Sequence, residues 1–132
     1  MRILILDDMQ VRHDGFQIIL KGHELFHALT FEEAQTIMSV QAAQGTPVEM
    51  CCLDRDLNAA KGASSFSNPA TGATEYYTGE HFAYWLGRQD FCPKKILIHS
   101  WNETGAAKMK SSLEKVAGIE IQIKPYKPPP GL

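Results

Sequence analysis

The chain is predicted to fold as a five-stranded doubly wound parallel α/β sheet, with strand order 2-1-3-4-5. Two observations carry this reading. Short aliphatic runs alternate with segments of helical periodicity along the whole sequence, and the principal runs end in acids or in His-Ser. Residues 2–6 are an unbroken aliphatic run of the kind buried on both sheet faces. Residues 14–21 suit a short helix, with Phe16, Ile19 and Leu20 on one side, and residues 24–29 a weaker strand. Thr30 and Glu33 form a capping box ahead of a helix with the apolar stripe Ala34, Ile37 and Met38. Residues 48–54 are the third strand. Residues 58–77, rich in Gly, Ala, Ser, Thr and Asn, form the one long irregular stretch, of the kind that serves as a lid or stays disordered. Thr78 caps a helix carrying Phe82, Trp85 and Leu86. Residues 95–99 are the fourth strand, and Asn102 caps the helix of Ala106, Met109, Leu113 and Val116. Residues 120–123 alternate polar and apolar, as an edge strand does. Residues 1–127 make one domain and the Pro-rich residues 128–132 an extended tail.

Composition narrows the function. A chain of 132 residues buries a single core, and 44% apolar with 21% charged residues is ordinary for a soluble domain. The net charge of −2 argues against long nucleic acids or acidic membranes as partners. No window reaches the roughly 18–20 apolar residues of a membrane span. Asp7 and Asp8 interrupt the first run, so it does not read as a signal peptide. Cys51, Cys52 and Cys92 are an odd set without CxxC spacing and read as plain buried thiols, which suits a reducing cytoplasm, that of a host cell if the gene is viral.

In such a sheet, ligands bind outside the carboxyl ends of the strands near the switch point. Asp7 and Asp8 end the first strand, Asp54 the third, and His99-Ser100 the fourth. Carboxylates there suit a hard divalent cation, Mg²⁺ or Mn²⁺, with Asp8 and Asp54 as ligands and Asp7 as ligand or its neighbour. Asp56 lies on the same side as Asp54 if the extended backbone continues, as a further ligand, a general base or a solvated turn residue. Arg55 either clamps phosphate or faces solvent. Ser100 and Asn102, beside a helix amino terminus, suit an anion, although Asn102 needs only to be a cap. His99 is either a general acid or base or a satisfied core residue. Lys124 would neutralise phosphate or decorate an edge strand. His13, His23, His27 and His81 read as surface or packing residues, and Phe26, Trp85 and Trp101 as core.

These residues resemble response-regulator receiver domains, with Asp7-Asp8 as the acid pair, Asp54 as phosphoacceptor, Ser100 as the hydroxyl residue and Lys124-Pro125 as the Lys-Pro step. Further stretches resemble an offshoot of that family, the cyclic-phosphate-processing receiver-like domains. They are Arg12 and Gly15-Phe16, Asp54-Arg55-Asp56-Leu57, Thr78-Gly79 with Trp85-Leu86, and His99-Ser100-Trp101-Asn102 with Gly105 and Met109. The resemblance spans residues 2–113. Arg55 stands where that family has His, and the segment before Thr78 is enlarged. The resemblance implies metal-dependent hydrolysis of a cyclic phosphate on a nucleotide or RNA-processing product. His99 or Asp56 would then serve as acid and base, and Ser100, Asn102, Arg12, Arg55 and Lys124 would hold phosphoryl oxygens. Two rival readings stay open: a signalling module that accepts phosphate on Asp54, and a protein that sequesters a cyclic nucleotide.

Overall fold

A computed structural model describes residues 1–60 and 62–131. Strands β1 (Arg2–Leu6), β2 (Glu24–Ala28), β3 (Met50–Leu53), β6 (Lys95–Ile98) and β7 (Glu120–Ile123) form one parallel sheet in the order β2-β1-β3-β6-β7. This is the predicted order, with a small hairpin, β4 (Ser65–Ser67) and β5 (Thr74–Tyr76), taking two numbers inside the long connection. Among the described residues, four helices, α1 (Gln10–Ile19), α2 (Phe31–Ala43), α3 (Gly79–Leu86) and α4 (Glu103–Leu113), flank the sheet.

Alternation along the strands divides the core. Leu4 and Leu6 face α2, α3 and α4, where Ala34, Met38, Phe82, Leu86, Met109 and Leu113 join one large cluster. Ile3 and Ile5 face the other way onto Phe16 of α1, with Cys52, Leu97 and Tyr126. Among the described residues, α1 is the one helix of that second layer. No helix among the described residues follows β7, and the tail takes its place: Pro129 is buried, and Trp101 Nε1 donates to the Tyr126 carbonyl at 3.1 Å. β7 is written for this arrangement. Ile121 packs into the large cluster, while Glu120 and Gln122 alternate with it and stay exposed.

The tail also explains Gly15. A Cβ there would stand 1.8 Å from the Tyr126 hydroxyl and 3.3 Å from Pro129 Cδ. Gly15→Ala is therefore expected to cost about 2 kcal/mol, and Tyr126→Phe in the same chain to recover much of it. Tyr126→Phe alone should be neutral or slightly stabilising, because the hydroxyl is buried without a partner. Urea unfolding of the four combinations checks this; an unrescued double variant would contradict it.

Several boundaries differ from expectation. α1 starts at Gln10 rather than Asp14: Met9 is its N-cap without a side-chain bond, and the Met9 amide just ahead of the helix donates to Asp7 Oδ1 at 2.9 Å. The expected irregular stretch contains the β4–β5 hairpin, whose Phe66 packs on Tyr77 and His81 at centroid distances of 4.9 and 5.7 Å. Trp101, expected in the core, is 62% exposed, since it sits in the β6–α4 turn with its ring nitrogen spent on the tail. The helices capped by Thr30, Thr78 and Asn102 begin as the sequence indicates. The three thiols are free and buried, and burial pushes the Cys52 thiol up to about 12 and Cys51 well above its usual range. Among the described residues no helix is long and apolar enough to cross a membrane.

Candidate functional site

Register builds the site. Leu6 pairs with Leu53, and Leu53 with Ile98, so the next residues, Asp7, Asp54 and His99, stand side by side at the carboxyl edge. The ladder continues through them: Asp54 N donates to the Leu6 carbonyl at 2.9 Å, and His99 N to that of Leu53 at 3.0 Å. All three are almost completely buried. One carboxylate oxygen from each acid and one imidazole nitrogen lie within 4.8 Å of one another.

Charge is balanced locally. His99 Nε2 bonds Asp7 Oδ2 at 2.8 Å. Arg12, from α1, places a single Nη1 at 3.3 Å from Asp7 Oδ2 and 3.2 Å from Asp54 Oδ2. The two acids diverge as a result. Burial pushes both up, but at Asp7 the His99 bond, the Met9 amide and Arg12 outweigh it, and this carboxyl titrates below its ordinary value. At Asp54 burial dominates, the Asp7 charge adds to it, and His99, Arg12 and the Arg55 amide only partly oppose it. Its carboxyl is pushed up to about 6.

Asp8 lies outside this trio. Its Oδ2 accepts from the Ala59 amide at 2.8 Å, tying the end of β1 to the loop after β3, and burial raises its pKa. Asp56 is not brought in either. β3 stops at Leu53, so the extension needed to align it with Asp54 does not continue; Asp56 is exposed and bonds Arg55. Arg55 is directed away from the acids, with Nε on Glu80 at 2.7 Å and Nη1 on Asp56 at 2.9 Å. Ser100 is buried and its Oγ accepts from the Asn102 amide at 3.1 Å. Asn102 Oδ1 accepts from Gly105 N at 2.8 Å, as a helix cap does. The Lys124 side chain is exposed and lines a cavity together with Phe16, His99 and Tyr126.

Sequence reasoning missed His13. It is buried, and its Nε2–H donates to the Asp7 carbonyl at 2.7 Å. Its Nδ1 shares a hydrogen bond of 2.7 Å with His27 Nδ1, and His27 Nε2 lies 2.8 Å from Gln17 Oε1. Since Asp7 O can only accept, His13 Nε2 must carry its proton, and a neutral His13 then accepts at Nδ1 from His27 Nδ1–H. The signal was available: His13 follows Arg12 on the helix face turned to the acids.

Two carboxylates and an imidazole within 4.8 Å suit a divalent cation, the carboxylates being the part that Mg²⁺ favours. The Arg12 guanidinium bridges the same two carboxylates, so cation and guanidinium are alternative occupants of one place. Arg12→Met is accordingly expected to cost about 3 kcal/mol at pH 8, where two buried carboxylates are left without their cation. Millimolar MgCl₂ should restore much of that loss. Thermal unfolding with and without MgCl₂ checks both; a variant as stable as the parent in EDTA would contradict the bridge.

Comparison places this geometry among known proteins. No curated protein matches the chain. Several solved structures similar to it are described as receiver domains. NtrX from Brucella abortus superposes with a TM-score of 0.61 at 20% identity, over 96% of this chain and 23% of that one. This chain thus spans about a quarter of that protein's length. The isolated receiver domain of NtrX gives 0.59 at 18% identity, over 95% of this chain and 87% of that one. A CheY-like response regulator receiver domain from Methylobacillus flagellatus gives 0.60 at 12% identity, over 93% and 84%. At these identities the likeness shows the fold, a five-stranded receiver sheet. The family described as the cyclic-phosphate processing receiver domain matches residues 2–115, nearly the whole domain. The chain belongs to the cyclic-phosphate processing receiver domain family.

Proposed function

We propose that this chain is a phosphoryl-accepting receiver module in which Asp54 is the nucleophile. The observation that carries the reading is Asp54 itself. It is a buried carboxylate at the end of β3, held 3.2 Å from Arg12 Nη1, with Asp7 across the same guanidinium. An Asp54 oxygen attacks the phosphorus of a small phosphoryl donor, the new P–O bond forms, and the bond to the leaving group breaks with its electron pair. Arg12 faces the charge that gathers on the phosphoryl oxygens. Asp7, fixed from one side by His99 and through its carbonyl by His13, holds Arg12 beside Asp54 while no ion is bound. A divalent ion held by Asp7 and Asp54, with Asp8 at the rim, would take the place of that bridge, release the guanidinium toward the phosphoryl oxygens and supply Lewis-acid polarisation of the phosphoryl group.

A second reading, hydrolysis of a cyclic phosphate, is favoured by the family's description and by the Asp7–His99 pair, which a phosphorylation switch does not need. In it a water oxygen attacks the phosphorus and gives up a proton, the new P–O bond forms, and the ring P–O bond breaks as the departing ribose oxygen takes a proton. His99 Nε2 is engaged by Asp7, so it reaches that oxygen only by exchanging one bond for the other. Its expected companions Asp56, Arg55 and Lys124 lie away from the acids.

Phosphorus NMR separates the readings. With acetyl phosphate and MgCl₂, an acyl-phosphate resonance on the protein that is lost in Asp54→Asn supports the first. Metal-dependent conversion of one member of a panel of 2′,3′- and 3′,5′-cyclic nucleotides, cyclic dinucleotides and ADP-ribose cyclic phosphate supports the second. Silence in both, from folded protein, would sink both.

A further inference from the structure

α3 carries aromatic residues on both sides, and only one side is covered. Gly79, Phe82, Ala83 and Leu86 are buried in the core. His81, Tyr84 and Arg88 lie outward at helical spacing, with the half-buried Trp85 beside them. Tyr84 is 56% exposed, and the β4–β5 hairpin extends the same surface with Tyr76, 43% exposed. A cavity of about 530 Å³ on this face is lined by Phe31, Tyr77, His81 and Trp85. It adjoins one of about 360 Å³ that shares Arg55, Thr78 and His81 with it and is also lined by Glu75 and Tyr76. Contiguous exposed aromatics mark an interaction surface, and Tyr, Trp and Arg are the residues that supply most of the binding energy at such surfaces. We propose that the outer face of α3, with the hairpin, is the interface of a two-fold dimer of this chain.

The charge pattern selects a second copy as the occupant. Near the start of α3, Arg55 and Glu80 neutralise each other at 2.7 Å. Glu75 lies in the hairpin ahead of α3 and Arg88 just beyond its last turn, and neither forms a salt bridge among the described residues. The helix between them rises by about 15 Å from Thr78 to Arg88, so the two charges stand at opposite ends of the face. A two-fold axis perpendicular to α3 packs the two helices antiparallel and sets Glu75 of each copy against Arg88 of the other. A partner of a single charge sign would meet repulsion at one end. Arg88 is ordered in advance: its guanidinium lies 3.5 Å from the Tyr84 ring centroid, and Nη1 donates to the Tyr84 carbonyl at 3.0 Å. Its other donors are left for the second copy, and little side-chain freedom is lost on pairing. Glu75 spends one oxygen on Asn68 Nδ2, at 3.1 Å, and keeps the other. One short helix and a hairpin bury less than about 1,200 Å² in total, which fits a reversible dimer rather than an obligate one. The face uses none of the buried acids and does not depend on the reaction proposed for Asp54.

Sedimentation velocity of the full chain, from micromolar to millimolar concentration, tests the dimer. A reversible monomer–dimer equilibrium is expected. Tyr84→Glu, at an exposed position, should raise the dissociation constant at least about tenfold. Glu75→Arg and Arg88→Glu should each do the same, at least about tenfold, because either one sets like charges against each other twice in the symmetric pair. Combining Glu75→Arg with Arg88→Glu exchanges the two ends and should return the constant to within about threefold of the parent. Ile18→Lys, on the exposed side of α1, should dimerise like the parent. Asp54→Asn should do so too, which separates this result from the phosphoryl reading. A chain that stays monomeric, a dimer indifferent to Tyr84→Glu, or a combined variant no better than the single ones would overturn the proposal. Loss of the dimer in Ile18→Lys would place the interface on α1 and overturn it as well.

Discussion

Asp54→Asn is expected to stabilise the folded protein by about 1–3 kcal/mol at pH 7.5 in EDTA, while abolishing any phosphoryl acceptance. Burial and the Asp7 charge raise this carboxyl to about 6 from an ordinary value of 3.8. Between those values the folded protein binds a proton that the unfolded chain has released. The contribution of Asp54 to stability is thus fully present below 3.8 and lost as pH rises through about 6. Asp7 works in the opposite sense. Its folded pKa is lowered, so its contribution holds at neutral pH and is lost as pH falls through that lowered value. The gain from Asp54→Asn should therefore be small at pH 4 and full above pH 7, limited by the partner that Arg12 loses. Urea unfolding across that range reads it out. A variant less stable than its parent at pH 7.5 would mean that the Arg12 bridge contributes more than the buried charge costs.

Gly79→Ala is expected to be the most damaging single methyl in the chain, at about 3 kcal/mol or more, or to prevent folding. A Cβ at Gly79 would stand 2.0 Å from the Asp54 carbonyl oxygen and 2.9 Å from Arg55 Cα, both backbone atoms that cannot step aside. Gly79 N also donates to the Arg55 carbonyl at 2.8 Å, so the start of α3 lies directly on the turn that presents Asp54. Gly105→Ala is the informative comparison. There the near atoms belong to the Arg55 side chain, 2.5 Å from the added carbon at Cγ, and a flexible side chain can move. Its cost should be about 1–2 kcal/mol, accompanied by loss of the Arg55–Glu80 pair. Equal costs at the two glycines would contradict this account of the Thr78-Gly79 step.

The sheet was legible because its signal is local. The runs ending at Asp7, Asp54 and His99 are largely apolar and bounded by polar residues, and parallel register then aligns their ends without further information. The caps at Thr30, Thr78 and Asn102 were legible for the same reason, since each bonds a backbone amide within its own first turn. What escaped was long-range or depended on exact backbone path. Asp56 was aligned with Asp54 on the premise of continued extension, and the chain turns after Leu53. Arg55 pairs with Glu80, 25 residues away, which no local pattern announces. The place of the tail on α1 rests on Gly15 meeting Tyr126, a contact across more than 100 residues that left only a bare glycine in the sequence.

The central claim is that Asp54 is a reactive phosphoryl acceptor, and intact-protein mass spectrometry after incubation with acetyl phosphate and MgCl₂ tests it most directly. The account predicts a gain of one phosphoryl group that needs the divalent ion, is absent in Asp54→Asn and is removed by hydroxylamine, as an acyl phosphate should be. Folded protein that gains nothing, or gains the same mass in Asp54→Asn, would contradict it.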